Sequence, residues 1–319
     1  EYVDNIVSNR VPEDDGEGCY ALLLNPQGRI RSDLYIYNAG EKLLLFTPPA
    51  EAAPLVEEWR EKVFIQDVEI SDAGDEFGVF GVHGPKSTEK IASVLNHAGA
   101  PEPELTFERG SMGDAGVTVV ASDNPTGEEG YEVICSATDA EETLDTLINR
   151  GLNAAPFGYR TWESLTLEAG TPLFESELQD RIPNTAGLRH ALDFEKGCYV
   201  GQELVSKVDN RGQPSSRLVG LRTDALVDAG STVTVDGETV GEVTRAVEAP
   251  SIDAPIALAF VDFDASLDGA AVEAPGEDDE GAASDQGTVD ASVVDLPFVS
   301  GSADSLRLPV YPDGGDEDR

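Results

Sequence analysis

The chain has 319 residues, with 62 Asp plus Glu against 21 Lys plus Arg and a formal charge of −41 at pH 7. Hydrophobic residues make up 40% of it and fall in patterned runs such as ALLLN, KLLLF and IALAFV, which excludes an intrinsically disordered acidic chain. No run approaches the roughly 20 apolar residues of a bilayer span, and Cys19, Cys135 and Cys198 form neither a CxxC pair nor a zinc spacing, which excludes a disulfide framework and a self-contained metal site.

Along the chain, CYALLLNPQGRIRSDLYIYNAGEKLLLFTP reads as three strands of an antiparallel meander, because Asn25-Pro26-Gln27-Gly28 and Asn38-Ala39-Gly40 punctuate alternating β-prone runs. Helical stretches follow near residues 50–62 and 85–98, interleaved with strands near 76–82 and 115–121. GYEVICSA is a strand, and residues 139–150 form a helix that ends at Gly151. From Ser216 the texture changes to short strands with Gly or Asp-Gly turns, which predicts a small β-barrel over 216–319 after an α+β region over 1–215. The acidic segment 276–287 reads as a solvated loop between barrel strands, and the tail PDGGDEDR reads similarly.

The charge has a physical consequence. At about 1 M salt the Debye length falls to roughly 3 Å, so self-repulsion of so acidic a chain is largely screened. Together with a start, EYVDNIVSNR, that lacks the basic and apolar regions of a signal peptide, this predicts a protein of a high-salt cytoplasm.

Against that acidic background, the stretch from Lys196 to Arg222 carries a net charge of +3. Two readings are open: internal salt bridges to nearby acids, or a site for an anionic ligand. Cys198 lies two residues after Lys196 among Gly197 and Gly201, an arrangement expected to leave the sulfur accessible and to favour its thiolate. Cys19 and Cys135 lie in apolar strand patterns and read as buried structural thiols. His83, His97 and His190 show no metal spacing.

Residues 196–203, KGCYVGQE, followed by Arg211-Gly212, resemble the K-G-C-[YF]-x-G-Q-E signature of the YgfZ family, folate-binding proteins of iron-sulfur cluster metabolism. Other segments resemble the related glycine cleavage T-proteins, the aminomethyltransferases: NPQGRIRSDLYIY their glycine turn and acidic site, PTGEEGYEV their tetrahydrofolate-binding segment, LTLEAGTPLFESEL their L-x-L-E-A-G-x-P-L element, and DLPFV their closing barrel strand. The resemblance implies an α+β, aminomethyltransferase-like fold of duplicated α+β units around a central opening, with a C-terminal β-barrel. It also implies that EYVDNIVSN follows an N-terminal strand-rich stretch not present here.

The resemblance further implies tetrahydrofolate, or a derivative, as the cofactor. A pterin offers a ring N–H beside a 2-amino group, and one carboxylate can accept both in a fork. Glu132 is the candidate for that role, with an ordinary strand-edge acid as the alternative; Tyr131, Lys196 and Arg211 are expected to help bind folate, its glutamate tail included. Asp33 matches one of the paired acids near the reactive folate nitrogen, and Cys198 is expected to be a reactive thiol; these two are the candidate catalytic residues.

Departures separate the branches. The acid pair of an aminomethyltransferase is Ser32-Asp33 here, and TWESLTLEAG carries Trp162 and Thr166 where that family has two arginines. The leading expectation is therefore a tetrahydrofolate-binding accessory protein supporting assembly or repair of iron-sulfur client proteins. The alternatives are an aminomethyl or one-carbon transferase and a folate-linked tRNA modification factor; the last is disfavoured because phosphate contacts weaken steeply with salt.

Overall fold

Alternation of apolar and polar side chains builds the first sheet. The computed structural model describes residues 1–63, 67–210, 213–273 and 288–311, and in it Gly18–Leu24 (β1), Ile30–Asn38 (β2) and Leu43–Phe46 (β3) pair as the antiparallel meander the sequence predicts. The first turn closes because the Asn25 side chain accepts the backbone N–H groups of Gln27 and Arg29. Cys19, Ala21 and Leu23 of β1 and Leu34 and Ile36 of β2 bury against Leu55 and Trp59 of the helix Ala52–Lys62 (α1). Tyr20, Asp33, Tyr35 and Tyr37, one residue out of phase, therefore face the opposite way.

A second sheet comprises Phe77–His83 (β4), Phe107–Met112 (β5), Ala115–Ala121 (β6) and Gly130–Ser136 (β7), in the order β4-β7-β6-β5. One face carries Met112, Val117, Val119, Tyr131, Val133 and Cys135, and it buries against Ile91 and Val94 of the helix Ser87–Val94 (α2) and Leu147 of the helix Ala140–Asn149 (α3). Each such side chain contributes on the order of 1.5–3 kcal/mol when fully buried. On the other face Phe107, Val120 and Ile134 pack with Tyr37 of the first sheet, so the two sheets meet through the face that also bears Glu132. These elements belong to one compact unit, residues 1–124, 128–156 and 190–202.

The second compact unit takes in residues 125–127, 157–189 and 203 onward. It holds the helices Tyr159–Glu168 (α4) and, for all but its first residue, Gln202–Asn210 (α5), with a closed barrel of six strands: Ser216–Thr223 (β8), Thr232–Val235 (β9), Glu238–Ala249 (β10), Ala254–Asp262 (β11), Ala270–Glu273 (β12) and Val289–Val294 (β13). The first barrel strand, β8, starts at Ser216. Its interior is Val219, Leu221, Val233, Val243, Ala257, Ala259 and Val272. Arg245 of β10 pairs with fully buried Glu177 at 2.9 Å, and its guanidinium also donates to Thr166 Oγ1 at 3.1 Å and Thr171 O at 2.7 Å.

The predicted helices are present as α1, α2 and α3, α1 and α3 a little shorter than expected and α2 ending four residues early, while β5, α4 and α5 carry no such local signal. The acidic segment 276–287, the tail and Arg211-Gly212 lie outside the described residues. Among the described residues no helix is long and apolar enough to cross a membrane.

Candidate functional site

The strand period decides which predicted residues share a site. Glu132 and Ile134 of β7 point into the layer between the two sheets of the first unit, and Asp33, Tyr35 and Tyr37 of β2 point into the same layer from the other side. Tyr131, the neighbour of Glu132, points away into the helix-covered core, where its hydroxyl lies 2.9 Å from Thr88 Oγ1. Period 2 forbids Tyr131 and Glu132 from serving one ligand, so the expectation of Tyr131 as a ligand contact gives way to a core role.

The layer is polar at this point. Tyr20 donates its hydroxyl to Asp33 Oδ2 at 2.9 Å, and Tyr35 donates to Asp123 Oδ2 at 2.8 Å. The two tyrosine rings lie 5.0 Å apart and tilted, which ties the two acids into one wall. Across from it, the Glu132 side chain keeps 32% of its surface open, yet its carboxyl is surrounded deeply enough that loss of solvation pushes its pKa to about 7, with the negative charge of Asp123 adding to the rise. A carboxyl enclosed but not sealed is one that a ligand would finish burying. Tyr37 is raised well above its usual value by burial first, then by Asp123 and Glu132.

His83, on β4, is the neighbour sequence reasoning passed over. Its Nε2 stands 3.7 Å from Glu132 Oε1, only 3% of its side chain is exposed, and burial lowers its pKa to about 4, with Asp123 opposing the fall. The imidazole is thus neutral beside Glu132 at any pH near neutrality. Asp123 was missed as well: in ASDNP it reads as a turn residue, and only the fold brings it to the tyrosine wall.

Two residues of KGCYVGQE, Lys196 and Gly201, are engaged with main chain elsewhere in the first unit. Lys196 Nζ donates to the carbonyls of Asp4 (2.6 Å), Asn9 (2.7 Å) and Val7 (3.0 Å) and to Asp4 Oδ1 (3.3 Å), with 3% of its side chain exposed. An ammonium so engaged has no donor left for a folate carboxylate, so Lys196 is a clamp on the N-terminal segment. Gly201 has φ +84°, and a Cβ there would stand 2.7 Å from Asn25 O and 3.0 Å from Gly28 Cα, which is why the motif needs glycine where it packs on the β1–β2 turn. Cys198, between these anchors, is exposed, whereas Cys19 and Cys135 are buried as predicted, Cys19 with its thiol pushed up to about 12 by burial. Of the other basic residues in the stretch, Arg217 lies over the Phe263 ring, and Asp209 within it pairs with Arg189. The internal-pairing reading of the positive stretch is thus met at Lys196, whose ammonium pairs with Asp4, while Arg217 meets a ring rather than an acid. Arg211 lies outside the described residues.

Comparison with known proteins gives a consistent result. Residues 1–196 match the model of the GCVT N-terminal domain, and residues 217–300 that of the glycine cleavage T-protein C-terminal barrel domain. The aminomethyltransferase of Streptomyces avermitilis is 32% identical over 268 residues, covering 81% of this chain and 71% of the relative. That of Saccharopolyspora erythraea is 30% identical over 308 residues, covering 92% and 79%. Among solved structures, glycine cleavage system aminomethyltransferase T from Bartonella henselae superposes with a TM-score of 0.76 at 22% identity, over 91% of this chain and 78% of that one, a likeness of fold.

Proposed function

Because this chain belongs to the glycine cleavage T-protein family, we propose that its first unit binds tetrahydrofolate between the two sheets and transfers a one-carbon or aminomethyl group on it. The observation that carries this is the half-open Glu132 carboxyl facing a wall of Asp123, Tyr35, Tyr20 and Asp33. In this reading Glu132 as carboxylate accepts the paired donors of the pterin in a fork, and Asp33, held by Tyr20, stabilises positive charge developing at the reacting folate nitrogen. Arg211 is the basic residue proposed for the glutamate tail. The folate region is proposed to end at 215 and the barrel to begin at 216, although the compact units divide differently, with residues 157–189 and 203–215 in the unit that holds the barrel.

The test is calorimetric titration with tetrahydrofolate in high salt, followed by assay of methylene-tetrahydrofolate formation from an aminomethyl donor. Glu132→Ala is expected to weaken binding at least tenfold, and Asp33→Asn to lower turnover more than binding. Wild-type protein that binds no tetrahydrofolate would overturn the reading.

A second reading is favoured by one observation: Cys198 is an exposed thiol held between the Lys196 clamp and the Gly201 turn, in the motif that resembles the YgfZ signature. Here folate is bound but the protein supports iron-sulfur enzymes through Cys198. Cells lacking the protein would then recover iron-sulfur enzyme activity with the wild type and not with Cys198→Ala; full recovery with that variant would refute it.

A further inference from the structure

The slot that holds His83 is built by two missing side chains. A Cβ on Gly81 would stand 2.6 Å from His83 Nε2 and 3.5 Å from Glu132 Oε2, and a Cβ on Gly130 would stand 2.6 Å from His83 Nδ1. In the β4–β7 register Gly81 lies opposite Glu132 and His83 opposite Gly130, so glycine occupies both positions flanking the imidazole on the strand pair. The imidazole can lie against the Glu132 carboxyl only because both are glycine.

We propose that His83 is the positioning residue for Glu132: its imidazole accepts a hydrogen bond from the protonated carboxyl, so that a ligand presenting paired N–H donors must release that proton to take the carboxylate. The ligand clause rests on the folate reading above; the His83–Glu132 pair does not. The present separation of 3.7 Å closes to a hydrogen bond by a side-chain movement of about 0.9 Å, and such contacts in unliganded sites are commonly long. Among the described residues the remaining titratable groups against Glu132 are Asp123, which follows β6, and Tyr37 of β2; Tyr35 donates to Asp123. None of these supplies a positive charge, and His83 stays neutral above about pH 4, so the proton between the pair sits on Glu132 below its midpoint near 7. The proton released on binding passes to buffer.

The experiment has two arms. In ligand-free protein carrying 13C-labelled glutamate, the carboxyl resonance lost in Glu132→Gln is followed against pH. His83→Leu fills the slot and keeps the site dry but offers no acceptor, so the midpoint is expected to fall by about one pH unit, the worth of one hydrogen bond. A midpoint that stays or rises in His83→Leu would mean burial alone sets it, and the proposal would be wrong. Should that variant not fold, Gly81→Ala, whose methyl drives the imidazole off the carboxyl, must lower the midpoint likewise.

In the second arm, binding of 5-formyltetrahydrofolate at pH 6 is measured by calorimetry in two buffers of different ionisation enthalpy. Wild type is expected to release close to one proton per ligand. Binding without proton release overturns the ligand clause, whereas absence of binding with the first arm intact overturns the folate reading and leaves the His83–Glu132 pair standing.

Discussion

Replacing Lys196 by Met tests whether the basic motif is a clamp or an anion site. The substitution keeps the length of the stem and removes an ammonium that donates to three carbonyls and one carboxylate within residues 4–9. A hydrogen bond to a charged group contributes about 1.5–3 kcal/mol net, and three bonded carbonyls set an upper bound near 5–9 kcal/mol. Part of that returns, because the ammonium no longer loses its own solvation and the carbonyls of Asp4 and Asn9 are only part-buried. The net cost is on the order of 3–5 kcal/mol, as for removing one partner of a buried ionic contact. Urea unfolding at pH 7 followed by the fluorescence of Trp59, which lies in the same apolar cluster as Val7, reports it directly. A loss below about 1 kcal/mol, combined with weaker binding of an anionic ligand, would refute the clamp and restore the anion site.

Three further outcomes follow from the same geometry. Glu132 has a folded-state pKa raised to about 7 from an ordinary 4.5, so the folded state holds the extra proton and the group's stabilising contribution, full below about pH 4.5, is lost as pH rises through 7. Glu132→Gln is therefore expected to raise stability at pH 8 by at most about 3 kcal/mol, a bound that water reaching the carboxyl reduces, and to change nothing at pH 4; an equal shift at both pH values in chemical denaturation would contradict this. A disulfide reagent should label one thiol per native chain quickly, Cys198, and the other two only on unfolding; two fast thiols would count against the buried placement of Cys19 and Cys135. The formal charge of −41 predicts that the urea midpoint rises steeply between 0.1 and 2 M KCl, and a flat midpoint would mean that charge repulsion does not limit stability.

The meander, the barrel and three helices were legible because their signals are local: an Asx-supported turn between alternating runs, or Gly and Asp-Gly turns at short intervals. FERGSM was not legible as β5, since Arg109, Gly110 and Ser111 break the alternation and only pairing with β6 makes it a strand. Tyr159–Glu168 was read as part of a motif, although Thr166 there takes a bond from Arg245 of the barrel, a partner 79 residues away. Glu132 and Asp33 were found as residue types in recognisable segments. Their surroundings were not, because His83, Asp123 and Tyr35 converge only when two sheets stack. Alternation alone sets Tyr131 opposite to Glu132. The role of Lys196 was beyond reach, since its partners are mostly main-chain carbonyls more than 180 residues earlier, which leave no side-chain signature.

The closed ring of the barrel bears on how such a chain stays dispersed. In dilute buffer like charge keeps molecules apart, but at molar salt that repulsion reaches only about 3 Å and no longer guards an open strand edge. In the ring β10-β11-β8-β13-β12-β9 each strand is flanked by two others, so among the described residues the barrel has no edge strand on which another chain could template. Within the barrel, protection from edge pairing then comes from topology, which salt cannot screen, whereas the open sheets β1-β2-β3 and β4-β7-β6-β5 keep their edge strands.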